Sequence, residues 1–330
     1  MSTMTVAAIQ LGPRIPSDTA TTERIVQLVQ QAGTRGIRLA ALPELALTPY
    51  FAAQLHHDPA IYADPLDVHE AFQRISEAAR DAGVALSVPA GRADNGRLFN
   101  SMRFVDVDEA SPAPTARCIS RARKSQRRMA ASTVLEEALF RASATWASLS
   151  PPSPACRSRG LMLLRADALR RSRSRSLALQ GAEVVLVGCS TPVTPTRPGA
   201  SLARGRRASE LAMRGGACFD GLRRLIAAGK AGVENGLRYI GGSCVIAPDG
   251  EILARARTQR DEIVHAELDL DRIAELRERW NFERNRRPDA YVLAAPGAVP
   301  AGVSSEGGDH ARIVRIHLRE TSSAGPVLSA

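Results

Sequence analysis

The sequence predicts an α/β fold in which β-strands form the core and helices cover them. Short apolar runs typical of buried strands alternate with longer amphipathic segments, beginning with a strand at 4–10, a helix at 22–33 and an apolar run at 37–42. A hydrophobic share of 44% over 330 residues is enough for a sizeable core. The sequence has no internal repeat, so a solenoid is not expected.

The same strand and helix order continues along the chain. In the helix at 22–33, helical spacing puts Ile25, Leu28 and Val29 on one face. Further elements are predicted as a helix at 68–83, strands at 84–90, 99–107 and 182–188, a hairpin at 243–253 and a helix at 271–279. The hairpin turns at Pro248-Asp249-Gly250, and the last helix has an acidic start and a basic end.

The net charge of +10 comes from one part of the chain. Residues 116–175 contain 13 Arg and 1 Lys but only three acidic residues, which leaves 30 basic and 31 acidic residues elsewhere. Outside this segment the chain is therefore nearly neutral, as many enzymes are. An Arg/Ser run, Arg170–Ser176, resembles an RNA-binding segment, so a basic nucleic-acid-binding protein is the alternative from another functional class.

Several other classes are disfavoured by composition. Aromatic residues are only 4% of the chain, which is low for a protein that binds bases by stacking. No apolar run is long enough to span a membrane, and the first 11 residues do not resemble a secretion signal. The five cysteines form no CxxC pair, so neither a zinc site nor a disulfide framework is expected. A cytoplasmic location is the simplest expectation.

Leu42–Thr48, with the sequence Leu-Pro-Glu-Leu-Ala-Leu-Thr, resembles the first motif of the nitrilase superfamily of carbon–nitrogen hydrolases. The aromatic pair Tyr50-Phe51 narrows the resemblance to the N-carbamoyl-D-amino acid amidohydrolases. Four more stretches agree in the same order: 99–101, 181–183 with 190–192, 243–251, and 269–272 through 281–282 to 287–288. The resemblance implies a four-layer α-β-β-α sandwich, a homodimer or homotetramer, and no metal or organic cofactor.

The resemblance also implies a Glu-Lys-Cys triad and a second glutamate. Glu44 occupies the position of the general base, and Glu136 that of the second glutamate. Arg117 stands at the lysine position, and Arg165 stands at the position of the nucleophilic cysteine. A guanidinium stays protonated and is no nucleophile, so the chain as written is expected to be inactive.

Two residues are expected near the substrate of such an enzyme, Asn100 and Thr191. The arginines that would hold a substrate carboxylate are replaced by Ala168 and Leu169. The substrate implied by the resemblance is a small N-carbamoyl amino acid. Another amide or ureido compound is the alternative within the class, and neither a specific nucleic acid nor a membrane is expected as a partner.

A change of reading frame is our hypothesis for the irregular sequence at 116–176 and 197–224. With one choice of codons, a shifted frame over 116–121 reads Lys-Val-His-Leu-Pro-Gly, which restores the lysine motif. The same shift over 143–150 reads Gly-Asp-Leu-Gly-Phe-Ala-Val, again typical of the family. The product would then be a catalytically inactive hydrolase domain at 1–295, followed by a flexible tail at 296–330 that is rich in Gly, Ser, Ala and Pro.

Overall fold

Two main β-sheets face each other in the computed structural model, and helices pack against their outer surfaces. The structure describes residues 3–13, 18–50, 70–94, 97–107, 119–122, 140–143, 160–164, 182–193, 201–219, 223–281 and 284–285. All of them belong to one compact unit, Met1–Asn285. The predicted tail at 296–330 lies outside the described residues.

The first sheet has seven strands in the order β14-β1-β2-β3-β4-β5-β6. Adjacent strands β1, β2 and β3 run parallel, and β14 pairs antiparallel with β1 from Thr3 opposite Asp269 to Gln10 opposite Glu262. The strands are β1 (Thr3–Gln10), β2 (Leu39–Ala41), β3 (Ala85–Asp94), β4 (Arg97–Val105), β5 (Ile119–Ala122), β6 (Phe140–Ser143) and β14 (Glu262–Asp269).

The second sheet has five strands in the order β13-β12-β9-β8-β7, of which β7, β8 and β9 are parallel. Its strands are β7 (Gly160–Leu164), β8 (Val184–Cys189), β9 (Arg224–Gly229), β12 (Cys244–Ile246) and β13 (Ile252–Arg255). A separate hairpin joins β10 (Ala231–Glu234) to β11 (Leu237–Ile240). Its two turn residues, Asn235 and Gly236, both have positive φ, as a tight hairpin turn requires.

Four helices complete the described elements: α1 (Asp18–Thr34), α2 (Glu70–Asp81), α3 (Leu202–Phe219) and α4 (Arg272–Trp280). Apolar side chains of α1 and α2 pack on the outer face of the first sheet. Met213 and Ala217 of α3 pack on the outer face of the second sheet. The predicted α-β-β-α sandwich is therefore confirmed.

Alternation along each strand separates the layers of the core. In β1, Ala7 and Ile9 point toward the helices, whereas Val6 and Ala8 point toward the second sheet. In β8, Val184 and Leu186 share the inter-sheet core with Val6 and Ala8. Because these strands have apolar side chains on both faces, their segments are continuous hydrophobic runs in the sequence.

The elements predicted over 4–107 and 182–188, the hairpin at 243–253 and the last helix are confirmed, with ends that differ by a few residues. The irregular sequence at 197–224 does form regular structure, because 202–219 are helix α3. Many Arg residues and three glycines hide its apolar face, which includes Met213 and Ala217 spaced four residues apart. Strands β5, β6 and β7 likewise lie inside 116–176.

Two buried arginines stand where β9 begins. Arg223 donates from Nε to the carbonyl of Ala182 at 2.6 Å, and Arg224 donates from Nη2 to the carbonyl of Asp269 at 2.6 Å. Burial lowers the pKa of Arg224, opposed by the charges of nearby acidic residues. Backbone carbonyls next to strand ends thus accept hydrogen bonds from both guanidinium groups, although Arg224 Nη1 is buried without a hydrogen bond among the described residues.

Within the described residues, no helix is long and apolar enough to cross a membrane, and no group of His, Cys, Asp and Glu has a metal-binding arrangement. Cys189, Cys218 and Cys244 are buried free thiols. Cys118 and Cys156 lie outside the described residues.

Stability at alkaline pH is expected to depend on Cys244. Burial, with a smaller contribution from the charge of Glu210, raises the pKa of this thiol to about 12. An unfolded thiol ionises near pH 8.5, so this contribution to stability is fully present below about pH 8.5 and is lost as the pH rises toward the folded pKa. Between about pH 8.5 and 10, the free energy of unfolding of the parent protein should fall more steeply with pH than that of Cys244→Ala. The two slopes should differ by up to about 1.4 kcal/mol per pH unit. Urea unfolding at fixed pH values measures this, and equal slopes in both proteins would contradict it.

Candidate active site

Glu44 lies in a tight turn that follows β2, at the end of the first sheet. Its side chain is buried, with 3% of the residue exposed. The turn is tied to β3 because Leu42 N–H donates to the carbonyl of Ser87 at 3.1 Å and Ala46 N–H donates to the carbonyl of Pro89 at 3.0 Å. Leu45 adopts a positive φ of 50°, which bends the chain directly after Glu44. These contacts fix the backbone of the turn that carries Glu44.

The second sheet contacts the same turn through β8. Ser190, just beyond the strand, donates from Oγ to the carbonyl of Glu44 at 2.7 Å. Gly188 allows close approach, since a Cβ there would lie 2.9 Å from the amide nitrogen of Glu44 and 3.1 Å from the carbonyl oxygen of Leu42. Glu44 is therefore fixed where the ends of the two sheets meet.

A buried ion pair lies beside the segment that follows Glu44. Lys230 Nζ is 2.9 Å from both carboxylate oxygens of Glu234, and the two side chains are only 3% and 5% exposed. Glu234 Oε1 also accepts the Tyr50 N–H at 2.9 Å, and Lys230 Nζ donates to the carbonyl of Thr48 at 3.4 Å. Both charges of the pair thus touch the backbone of 48–50.

Two aromatic rings enclose this ion pair. Tyr50 and Tyr239 pack edge to face with ring centroids 5.9 Å apart, and Lys230 Nζ lies 5.7 Å from the centroid of Tyr239. Burial, and then the negative charge of Glu234, raises the pKa of Tyr239. Tyr239 therefore stays a neutral phenol at physiological pH.

Thr191 follows Ser190, so it lies one residue from the group that binds the Glu44 carbonyl. The backbone carbonyl of Thr191 accepts Ile240 N–H at 3.0 Å, and Pro192 bridges to Tyr239. The hydroxyl oxygens of Thr191 and Thr48 are buried and make no hydrogen bond within the described part of the chain. Each is a free hydrogen-bonding group near the Glu44 turn.

The other predicted site residues are only partly described. Asn100 lies in β4, opposite Gly91 of β3 and Ser120 of β5, and nothing is described of its side chain. Arg117, Glu136 and Arg165 lie outside the described residues. Strand β7, which precedes Arg165 in the sequence, ends at Leu164 opposite Gly188. Its last residue thus pairs with the glycine that contacts the Glu44 turn.

The structure is a two-sheet sandwich with a buried glutamate after β2. Residues 5–278 of the chain match the family model described as carbon-nitrogen hydrolase. The chain belongs to the carbon–nitrogen hydrolase family. The predicted superfamily and its enzyme class, hydrolases of non-peptide C–N bonds, are thereby confirmed.

Known proteins resemble this hydrolase over most of its length. It is 26% identical over 310 residues to an N-carbamoylputrescine amidase of Solanum lycopersicum, covering 90% of this chain and 97% of that protein. It is 27% identical to the omega-amidase NIT2 of Homo sapiens over 307 residues, 89% of this chain and 98% of that one. A carbon-nitrogen hydrolase from Helicobacter pylori G27 has the same fold, with a TM-score of 0.70, 24% identity and coverage of 88% and 97%.

Sequence analysis did not single out Lys230 or Glu234 as site residues of this hydrolase. Their contacts to 48–50 join segments more than 180 residues apart, which no local pattern reveals. A signal does exist in the composition, because only two of the 44 basic residues are lysines and Lys230 is one of them. Lys and Glu four residues apart otherwise indicate an exposed helical pair, whereas this pair is buried beside a strand.

We expect Gly188→Ala to displace the Glu44 turn. The new methyl group would also lie 3.0 Å from Pro89 Cγ, so backbone and ring must move, at a cost of roughly 1–3 kcal/mol in the free energy of unfolding. Gly215→Ala in α3 is the matched control, because nothing lies within 4 Å of its added methyl group. That control should gain about 0.5–1 kcal/mol, since alanine favours a helix. Urea unfolding measures the free energy of unfolding of both variants and of the parent. A Gly188→Ala variant as stable as the parent would refute the close contact.

Proposed function

We propose that this hydrolase belongs to a group that acts on small ureido substrates, with N-carbamoyl-D-amino acids as the class, and that the chain with Arg165 at the nucleophile position does not hydrolyse them. The observation that carries the proposal is the buried Glu44 side chain, on a turn after β2 whose backbone is fixed by β3 and by Ser190 beyond β8. A buried, fixed carboxylate is suited to take a proton from a nucleophile and later from water. Location in the cytoplasm and assembly into a homodimer or homotetramer remain predictions.

The overall reaction would consume one water and release the D-amino acid, ammonia and carbon dioxide. A cysteine thiol passes its proton to the glutamate, and the thiolate attacks the carbamoyl carbon. The bond from that carbon to the terminal nitrogen then breaks, and ammonia leaves with the proton that the glutamate returns. The S-acyl enzyme that remains is hydrolysed to a carbamic acid, which loses carbon dioxide to give the D-amino acid. A lysine ammonium stabilises the negative charge that develops on the carbamoyl oxygen. The glutamate then removes a proton from the water that releases the intermediate.

In this chain the first step lacks its nucleophile, because Arg165 stands at the cysteine position. A guanidinium cannot give up a proton at accessible pH and offers no lone pair for attack. Arg117 keeps a positive charge at the lysine position but has a wide planar head instead of a compact ammonium. Glu136, at the position of the second glutamate, would orient that cation.

Another amide is the second candidate substrate within the class. It is favoured by the relatives, which include an N-carbamoylputrescine amidase and an omega-amidase at similar identity. Thr191 and Asn100 would contact either kind of substrate. The candidates are separated by relative rate in a chain that carries Arg117→Lys and Arg165→Cys, on a panel of an N-carbamoyl-D-amino acid, its L isomer, N-carbamoylputrescine and an omega-amide of a keto acid.

An assay of ammonia release tests the proposed chemistry. We expect the chain as written to release no more ammonia from an N-carbamoyl-D-amino acid than its Glu44→Gln variant does. A chain that carries Arg117→Lys and Arg165→Cys, with the shifted-frame sequence restored over 116–121 and 143–150, should turn over. Adding Glu44→Gln to that chain should lower its kcat by about 10²–10⁴-fold, as expected for loss of a general base. Release by the unaltered chain above its Glu44→Gln control would contradict the proposal.

Sequencing the coding DNA across codons 110–225 tests the frame hypothesis separately. We expect single-base insertions or deletions whose correction brings back a lysine at 117 and a cysteine motif near 165. DNA that confirms every residue would reject the hypothesis. A gel shift that persists at moderate salt would instead support the nucleic-acid-binding alternative, because non-specific phosphate contacts weaken steeply with salt.

A further inference from the structure

The buried pair Lys230–Glu234 links the segment after Glu44 to the frame of the second sheet. Lys230 is held through its backbone at three points: its N–H donates to the carbonyl of Cys189, its carbonyl accepts the N–H of Gly241, and it forms a bridge to Leu11. Glu234 is the last residue of β10 and is fixed by the hairpin with β11. Both side chains therefore extend from rigid backbone.

The two side chains act on 48–50 as a unit. Glu234 Oε1 is shared between the ammonium of Lys230 and the N–H of Tyr50, both at 2.9 Å. The same ammonium reaches the carbonyl of Thr48 at 3.4 Å. Removal of either charge deprives its buried partner of the ion pair at 2.9 Å, which favours movement of the remaining group away from its backbone contact.

The Glu44 turn has two anchored ends. Its first half is held by Leu42 and Ala46 on β3 and by Ser190 on the Glu44 carbonyl. Its second half, 48–50, is held by the Lys230–Glu234 pair. Thr48 N–H donates to the carbonyl of Leu45 at 3.3 Å, so 48–50 is joined directly to the residue that follows Glu44.

We propose that Lys230 and Glu234 are positioning residues of this active site: together they fix 48–50 and thereby the orientation of the Glu44 carboxylate. The proposal rests on the assignment of Glu44 as the general base. Neither residue needs to touch substrate, and the positioning requires both charges, because each side chain supplies one of the two contacts to 48–50. The β10–β11 hairpin is thus a support of the catalytic turn, although it lies in a different part of the sequence.

Hydrogen exchange and carboxyl ¹³C NMR on the full chain test the proposal without any turnover. The variants are Glu234→Gln, which keeps an acceptor for Tyr50 N–H, Lys230→Met, and the double variant. Glu262→Gln is the matched control, because Glu262 likewise accepts backbone N–H groups, from Arg257 and Thr258, in another turn. The Glu44 resonance is assigned by its disappearance in Glu44→Gln.

We expect each single variant to speed amide exchange in 42–50 by about tenfold and to shift the Glu44 carboxyl resonance. The double variant lacks the ammonium contact to Thr48 as well as the ion pair, so its exchange in 42–50 should stay faster than in the parent and its Glu44 resonance should stay shifted. Glu262→Gln should speed exchange only near 257–262. Unchanged exchange and an unmoved resonance in Glu234→Gln, uniform loss of protection in all segments, or parent values in the double variant would overturn the proposal. The ammonia assay fails or succeeds independently, so a chain that never hydrolyses substrate still decides this point.

Discussion

Face-to-face packing of the two sheets is the contact on which the rest of the structure depends. Small residues such as Ala8, Ala41 and Ala228 let the sheets approach, and Val184 and Leu186 fill the spaces between them. An interior of this kind has no place for an unpaired charge, because desolvation would cost several kcal/mol. Charged groups are therefore placed where strands end.

The ends of the strands show how buried charge is accommodated. Arg223 and Arg224, at the start of β9, donate hydrogen bonds to the carbonyls of Ala182 and Asp269, and Lys230 and Glu234 form an ion pair just after that strand. Glu44 is the buried carboxylate of the turn after β2, and its backbone has contacts on both sheets. The site thus depends on the same sheet-to-sheet contact that excludes water from the core.

Much of this architecture could be predicted from sequence, for identifiable reasons. Strands such as β1 and β8 are apolar on both faces, and the motif around Glu44 is local, so both were visible in the sequence. Helix α3 was missed because arginine and glycine dilute its apolar stripe, leaving Met213 and Ala217 as its core contacts. The Lys230–Glu234 pair was missed because its partners at 48–50 are distant in sequence, and only the completed fold brings them together.

The pairing of β1 with β14 places the beginning of the described chain beside its last strand. During synthesis on the ribosome, the antiparallel neighbour of β1 emerges only after residue 262, when most of the chain has already left the exit tunnel. Until then β1 presents an open edge that other strands can join. A frame error that ended translation early would leave this edge uncovered, whereas one that returns to the original frame before β14 still closes the sheet. Closure of the first sheet therefore requires that β14 be translated in its original reading frame.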